Sequence, residues 1–261
     1  MVKKRVTIKE IAKESGFSIA TVSYVLNDRK DQKISASAKK KILQIANLYH
    51  YRSNGAARSL AMGRSNAVAF YFGSPNSLLA EANAFLSFEK LTSSFGRIGF
   101  RTYFVSSKET SSINDVDAIV VVGAEDAFFR EIASNNLVPV IALDCLVNDP
   151  LFYEISDDFS SYDGTGIMIS LPLANENYRK YVEAHFKTRY VSSSDDIFSS
   201  LPPSGVPFFV RDEAVYEHCR QHGLHPAFLS AYSEDKIDSL LKCFLEVTRS
   251  KEPQARRLLV R

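Results

Sequence analysis

The chain has little sulfur chemistry: its 3 cysteines, Cys145, Cys219 and Cys243, are odd in number and set in apolar or helical surroundings. That excludes a disulfide framework and reads as reduced thiols of a cytoplasmic protein. No apolar run reaches the length of a membrane span. The opening MVKKRVTIKE carries charge with no hydrophobic stretch behind it, so neither membrane insertion nor secretion is expected. GxSxG, GxxxxGK[ST] and the dinucleotide glycine fingerprint are all missing. Acid/base work by Asp144, Asp157 or Asp158 would therefore have no nucleophile or phosphate loop beside it, and the chain reads as no enzyme and as needing no cofactor. His218 and His222 stand i, i+4 beside Cys219, but nothing completes a finger-like ligand set; near Gly223 they complement a helix dipole, and no metal is expected. With 45% hydrophobic and 24% charged residues and no repeat, this is an ordinary globular composition.

What is present is concentrated at the amino end. Thr7 and Glu10 have capping-box spacing, Val6 and Ile11 staple positions, and Ile8, Ile11 and Ala12 share one helical stripe. Gly16 ends that helix, Phe17 plugs the turn, and Ser18 caps a second helix whose buried stripe is Val22, Val25 and Leu26. Ile19, Ala20, Ser23, Tyr24 and Asn27 are left on its open face. Free N–H groups and the hydroxyls of Ser18, Thr21 and Ser23 suit phosphate oxygens there, and Ile19 and Ala20 can press on thymine methyls at base edges. A purely structural helical hairpin would use the same pattern. A third helix starts at Ser35, with Ala38, Ile42, Ile45, Ala46 and Tyr49 at helical spacing and Lys39, Lys40 and Lys41 opposite. Through residue 64 the chain has 14 Lys and Arg against 4 Asp and Glu, a net of +10; the whole chain is +2, so the remainder is −8. A basic head on an acidic body fits a polyanionic partner.

The run VTIKEIAKESGFSIATVSYVLN, then Ile34-Ser35, then YRSNGAARSLAMG, resembles the head and hinge of the LacI/GalR transcription regulators. The resemblance implies a helix-turn-helix domain over 1–50, a hinge helix and linker over 51–64, and a shortened periplasmic-binding-protein-like effector and dimerisation core over 65–261. It places Ile19 and Ala20 at base-reading positions and Thr7, Ser18, Thr21, Ser23 and Asn27 near phosphates. Asn54, Ala57, Arg58 and Leu60 fall to the hinge, with Leu60 as a wedge that kinks the duplex from the minor groove. Lys33 can reach a phosphate from the loop before the third helix. The chain departs from the pattern in having Ser53-Asn54 where proline usually precedes asparagine, followed by Gly55; such a hinge is expected to order only on the operator.

From residue 65 the texture becomes α/β. AVAFYF (67–72), FRTYFV (100–105), DAIVVV (117–122), VPVIAL (138–143), VPFFV (206–210), AFLSAY (227–232) and LLV (258–260) read as strands of a parallel sheet. Stretches 78–95, 124–136 and 234–250 read as helices between them. Two gaps stand out against the resemblance: the link SSKETSSIND, marginal for a crossover, and about 170–206, where the family's Gly-His-Arg strand entry and effector-clamping arginine region have no counterpart and SLPPSG reads as a loop. If a pocket survives, it lies at strand carboxyl ends, where Ser74, Asn76, Asp144, Asp157, Asp158 and Asp212 could meet the hydroxyls of a sugar-like effector. Helix capping and loop solvation would use the same residues.

The expectation is a homodimeric repressor that reads a palindromic double-stranded operator, since two heads on a two-fold axis read what one cannot. One rival keeps the DNA role without small-molecule control. Another is a sugar-binding module or enzyme with a helical appendage, which the basic head disfavours.

Overall fold

The structure, a computed structural model, describes residues 6–26, 33–49, 65–73, 75–105, 109–113, 115–249 and 257–260, with only the backbone at Asn47. The chain divides into two compact units, Met1–Gly63 and Arg64–Arg261. Among the described residues no helix is long and apolar enough to cross a membrane.

The first unit holds α1 (Ile8–Ser15), α2 (Ile19–Leu26) and α3 (Ala36–Leu48). The capping box forms at α1: the Thr7 hydroxyl accepts the Glu10 N–H at 3.4 Å, and the Glu10 carboxylate accepts the Thr7 N–H at 2.6 Å. Gly16 ends the helix at φ +75°, a conformation that costs glycine little. Ser18 and Ser35 cap the next two helices, accepting the N–H groups of Thr21 at 3.0 Å and Ala38 at 3.2 Å. Ile11, Val22 and Ile42 are wholly buried at the centre, with Ala12, Val25 and Ala46 around them. Tyr49 departs from its expected place in this stripe. It follows the last turn of α3, lies exposed, and has its hydroxyl bonded to Glu14, which pushes its pKa up.

The second unit is two lobes. In the first, β1 (Ala67–Phe72), β2 (Arg101–Val105), β3 (Ala118–Val122), β4 (Val140–Leu143), β5 (Tyr153–Asp157) and β10 (Arg257–Val260) form one sheet in the order β2-β1-β3-β4-β5-β10, all parallel. Strand β1 is buried on both faces, as its unbroken apolar run requires. Val68, Phe70 and Phe72 pack with α4 (Leu78–Arg97) and α9 (Glu234–Thr248), while Ala67, Ala69 and Tyr71 pack with Phe129 and Ile132 of α5 (Asp126–Asn135). The second lobe is a parallel sheet in the order β7-β6-β8-β9, made of β6 (Ile167–Ser170), β7 (Lys187–Tyr190), β8 (Phe208–Val210) and β9 (Ala227–Phe228). Its helices are α6 (Glu176–His185), α7 (Ser194–Ser199) and α8 (Glu213–Gln221). The chain then returns to the first lobe through α9 and β10.

Two expectations need correction. The stretch 170–206 is not a gap: it supplies α6, β7 and α7. Its sequence hid them because β7, KTRY, is a polar edge strand with alternating exposure, and α6, ENYRKYVEAH, buries only Tyr178 and Val182. The strand expected at 227–232 is only two residues long; Leu229 and Ala231 still donate to the Val210 and Arg211 carbonyls, and the chain turns toward α9 at Ala231–Tyr232. The link from β2 to β3 contains no helix among its described residues; it still passes β1, which lies between those strands.

Candidate nucleic-acid interface and interlobe cleft

Helix α2 opens on the group of side chains expected to face a duplex. Ser18, Ile19 and Ala20 are exposed, Ile19 at 47%, although burial would ordinarily claim an isoleucine; Thr21, Ser23 and Tyr24 are half-buried beside them. The Ser18 and Thr21 hydroxyls lie 2.9 Å apart at the helix amino end, where unpaired N–H groups favour an anion. Thr7 is exposed at the start of α1, and Lys33, Lys39, Lys40 and Lys41 are exposed at and along α3, with the Lys41 ammonium 5.8 Å from the Phe17 ring. Asn27, Asn54, Ala57, Arg58, Leu60 and Ser74, and with them the hinge, lie outside the described residues.

Within the second unit, the carboxyl ends of the strands of both lobes border a partly open cavity of about 410 Å³. Asn76, Asp144 and Asp212 line it together with Phe72, Asn175, Tyr178, Arg211 and Tyr232. A close approach shapes its rim: a Cβ on Gly73, after β1, would come within 2.5 Å of the Gly123 carbonyl after β3. Asp144 follows β4 at φ +56°, a left-handed conformation uncommon outside glycine, asparagine and aspartate.

The cavity floor is ionic. Arg211 Nη2 lies 3.1 Å from Asp144 Oδ2, 3.0 Å from Asp157 Oδ2 and 3.0 Å from the Tyr178 hydroxyl. Lys236, 1% exposed, donates from Nζ to Asp144 Oδ1 at 2.6 Å and Asp157 Oδ1 at 2.8 Å. The Tyr178 hydroxyl donates to Asp157 Oδ2 at 2.6 Å. Burial raises the Asp144 pKa in spite of Lys236, and the nearby Asp157 charge adds to it. Burial acts on Asp157 too, but Lys236 and Arg211 outweigh it and hold that carboxyl below its usual range. Burial also drives Tyr178 well above its ordinary value, so its proton stays available for Asp157. Asp212 accepts the Leu171 N–H at 2.9 Å and the Ser170 hydroxyl at 2.7 Å, its pKa raised by burial.

Of the residues expected at an effector site, Asn76, Asp144 and Asp212 thus reach the cavity and Asp157 stands in its floor network. Asp158 does not join them. One step past the strand end, its carboxylate accepts the Ser160 N–H at 3.0 Å and its own N–H is held by Val260, so it serves a turn. Sequence reasoning missed Arg211, Tyr178 and Lys236. The signal for Arg211 was its position directly before Asp212 at a strand end; Tyr178 and Lys236 lie in amphipathic helices where nothing local marks them.

Comparison with known proteins bears mainly on the amino-terminal unit. Residues 7–54 match the family described as bacterial regulatory proteins, lacI family. The amino-terminal unit is thus similar to the lacI-family helix-turn-helix domain. The chain is 44% identical over 66 residues to the sucrose operon repressor of Klebsiella pneumoniae, a match covering 25% of this chain and 20% of that protein. A longer match, 30% over 139 residues, joins it to the HTH-type transcriptional regulator GanR of Bacillus subtilis, covering 50% of this chain and 40% of the relative. The chain therefore aligns with less than half the length of either. A solved structure of the Lac repressor bound to ONPG in the repressed state superimposes with a TM-score of 0.58 at 14% identity, covering 98% of this chain and 97% of the other, and so has the same fold. The second unit thus shares the parallel-sheet two-lobed fold of the core in that structure.

Proposed function

We propose that this chain is a sequence-specific DNA-binding transcription regulator that represses its targets by reading a palindromic operator as a homodimer. The observation that carries this reading is an exposed Ile19-Ala20 pair on a capped helix, in a head matched over residues 7–54 to the lacI family. Ile19 and Ala20 press on base edges, Thr7, Ser18, Thr21 and Ser23 bond phosphates, Tyr24 and Asn27 flank the reading face, and Lys33 adds a phosphate contact. Asn54, Ala57, Arg58 and Leu60 serve the minor groove in the hinge, where Leu60 is the wedge. Two-fold symmetry places both heads on successive major-groove faces and both leucines at the operator centre. The names of the relatives, repressors among them, support the sign of the control. The domain division follows the same reading: 1–50 binds DNA, 51–64 is the hinge, and 65–261 is the effector and dimerisation core.

The interlobe cavity supports a small, neutral, polyhydroxylated effector. Its volume suits a sugar, and amides and carboxylates line it together with the aromatic residues Phe72 and Tyr232. A ligand of that kind changes operator affinity only through unequal affinity for two core arrangements.

The test is selection from a randomised duplex pool, followed by thermal melting with a panel of sugars and sugar phosphates. Recovery of a two-fold symmetric sequence and a raised melting temperature with one panel member are expected. Recovery of no sequence overturns the DNA reading; a recovered sequence without any shift overturns the effector reading alone.

A further inference from the structure

We propose that closure of the two core lobes is built into the chain as an ion latch, with Arg211 and Tyr178 of the second lobe seated on Asp144, Asp157 and Lys236 of the first. This concerns the regulation of the cleft read above as an effector site, and it does not depend on DNA binding.

The latch is interlobe by construction. Arg211 directly follows β8 and Tyr178 stands on α6, both in the second lobe; Asp144 follows β4, Asp157 ends β5 and Lys236 stands on α9, all packed on the first. In the side chains of Arg211, Asp144 and Lys236 the exposure is 5%, 5% and 1%. Within the set, two cations meet two carboxylates, so charge is balanced only when both lobes contribute. Separation would leave Asp144 and Asp157 sharing one ammonium and would strip Arg211 of both its carboxylate partners at once. Groups of this kind are costly to bury unless paired, so the geometry matters only with the lobes together.

The same arrangement is repeated at the cleft edges. Asn83 of α4, in the first lobe, accepts the Ala214 N–H of α8 at 3.2 Å. Lys90 of α4 meets Glu213 of α8 at 2.8 Å. Asn175, at the start of α6, accepts the Leu146 N–H at 3.1 Å and donates to the Ala124 carbonyl at 3.2 Å. Leu79 and Ala80 of α4 pack into the second lobe's apolar cluster. The lobes are thus joined at the floor and on two sides by the chain's own groups. A ligand here binds a core that is already shut. It acts by filling the cavity between lobes that are already latched, and the closing of an open clamshell is no part of its work.

The test uses the full chain with dyes on Leu137→Cys in the first lobe and Asp195→Cys in the second, both at exposed positions; the buried native thiols are spared. Energy transfer between the dyes in plain buffer should report one narrow, short distance, unchanged by any sugar in the panel. A broad or long distance that narrows only on adding a sugar overturns the latch, and this arm needs no latch variant. Arg211→Met paired with Asp157→Asn keeps the charge balanced and should lengthen and broaden the distance while far-ultraviolet circular dichroism stays unchanged. The parent distance in a folded double variant also overturns the proposal. Operator selection is scored separately, so failure of the DNA reading leaves this result standing, and the reverse.

Discussion

The Asp117 carboxylate, one residue before β3, accepts both the backbone N–H and the hydroxyl of Ser65, at 2.6 and 2.9 Å. The same carboxylate accepts the Asn66 N–H at 2.9 Å, and Arg101 donates to the Ser65 carbonyl at 3.1 Å. The first residues of the core are therefore fastened to the amino ends of β2 and β3 before β1 begins. Asp117→Ala should cost about 1–3 kcal/mol of core stability, the range for charged hydrogen bonds lost at a half-buried site. Amide exchange at Ser65 and Asn66 should quicken far more than exchange within β1. Unaltered exchange at those two amides would remove this fastening role.

The two kinds of DNA contact separate by salt dependence. Neutralising Lys33 should weaken binding to all duplexes alike and flatten the slope of log affinity against log salt by about one unit. Leu60→Ala should instead reduce discrimination, losing more on the operator than on random sequence. Parallel losses from both variants on both duplexes would refute the division of labour.

Most of the head was legible from its sequence because its signals are local. Thr7 with Glu10, Gly16, Ser18 and Ser35 each fix a helix end within four residues, and the stripe Ile11, Val22 and Ile42 does close the core. Most of the first lobe was legible for another reason: strands buried on both faces, such as AVAFYF, cannot be mistaken for solvent-facing ones, whereas β5, YEISD, with its polar residues was not read. The second lobe was not. Its edge strand KTRY is polar, and the cleft floor joins Asp144 to Lys236 across 92 residues. No spacing rule reaches that far, so Asp144 could be named while the cations that complete its site could not.

His218 of α8 and His222, which caps its carboxyl end, have tilted rings with centroids 4.3 Å apart, and both meet the Phe198 ring edge-on. Burial first, and the His222 charge second, lower the His218 pKa. The folded state then takes up this proton later than the unfolded one, so stability falls as pH drops through the ordinary histidine value of about 6.5 and levels off once folded His218 is protonated. His218→Gln should make the midpoint of chemical unfolding less sensitive to acidification across that window. An equal or steeper dependence in the variant would contradict the assignment.

Cys145 is buried after β4, its sulfur accepting the Ala124 N–H at 3.0 Å, and burial raises its thiol pKa far above the ordinary value. Cys219 and Cys243 are buried as well. All three should resist a thiol-alkylating reagent at neutral pH in the folded chain and react at once in denaturant, because the thiolate is the reactive form. Rapid modification of any of them in the native protein would contradict the packing described here.

The central claim is that the amino-terminal head discriminates one DNA sequence from others. The most direct test is competition between a selected duplex and random duplex, measured over a range of salt concentrations with the full chain. The account predicts a preference of about a thousand-fold or more at physiological ionic strength, with both affinities weakening as salt rises. Equal affinity for the two duplexes at every salt concentration would contradict it.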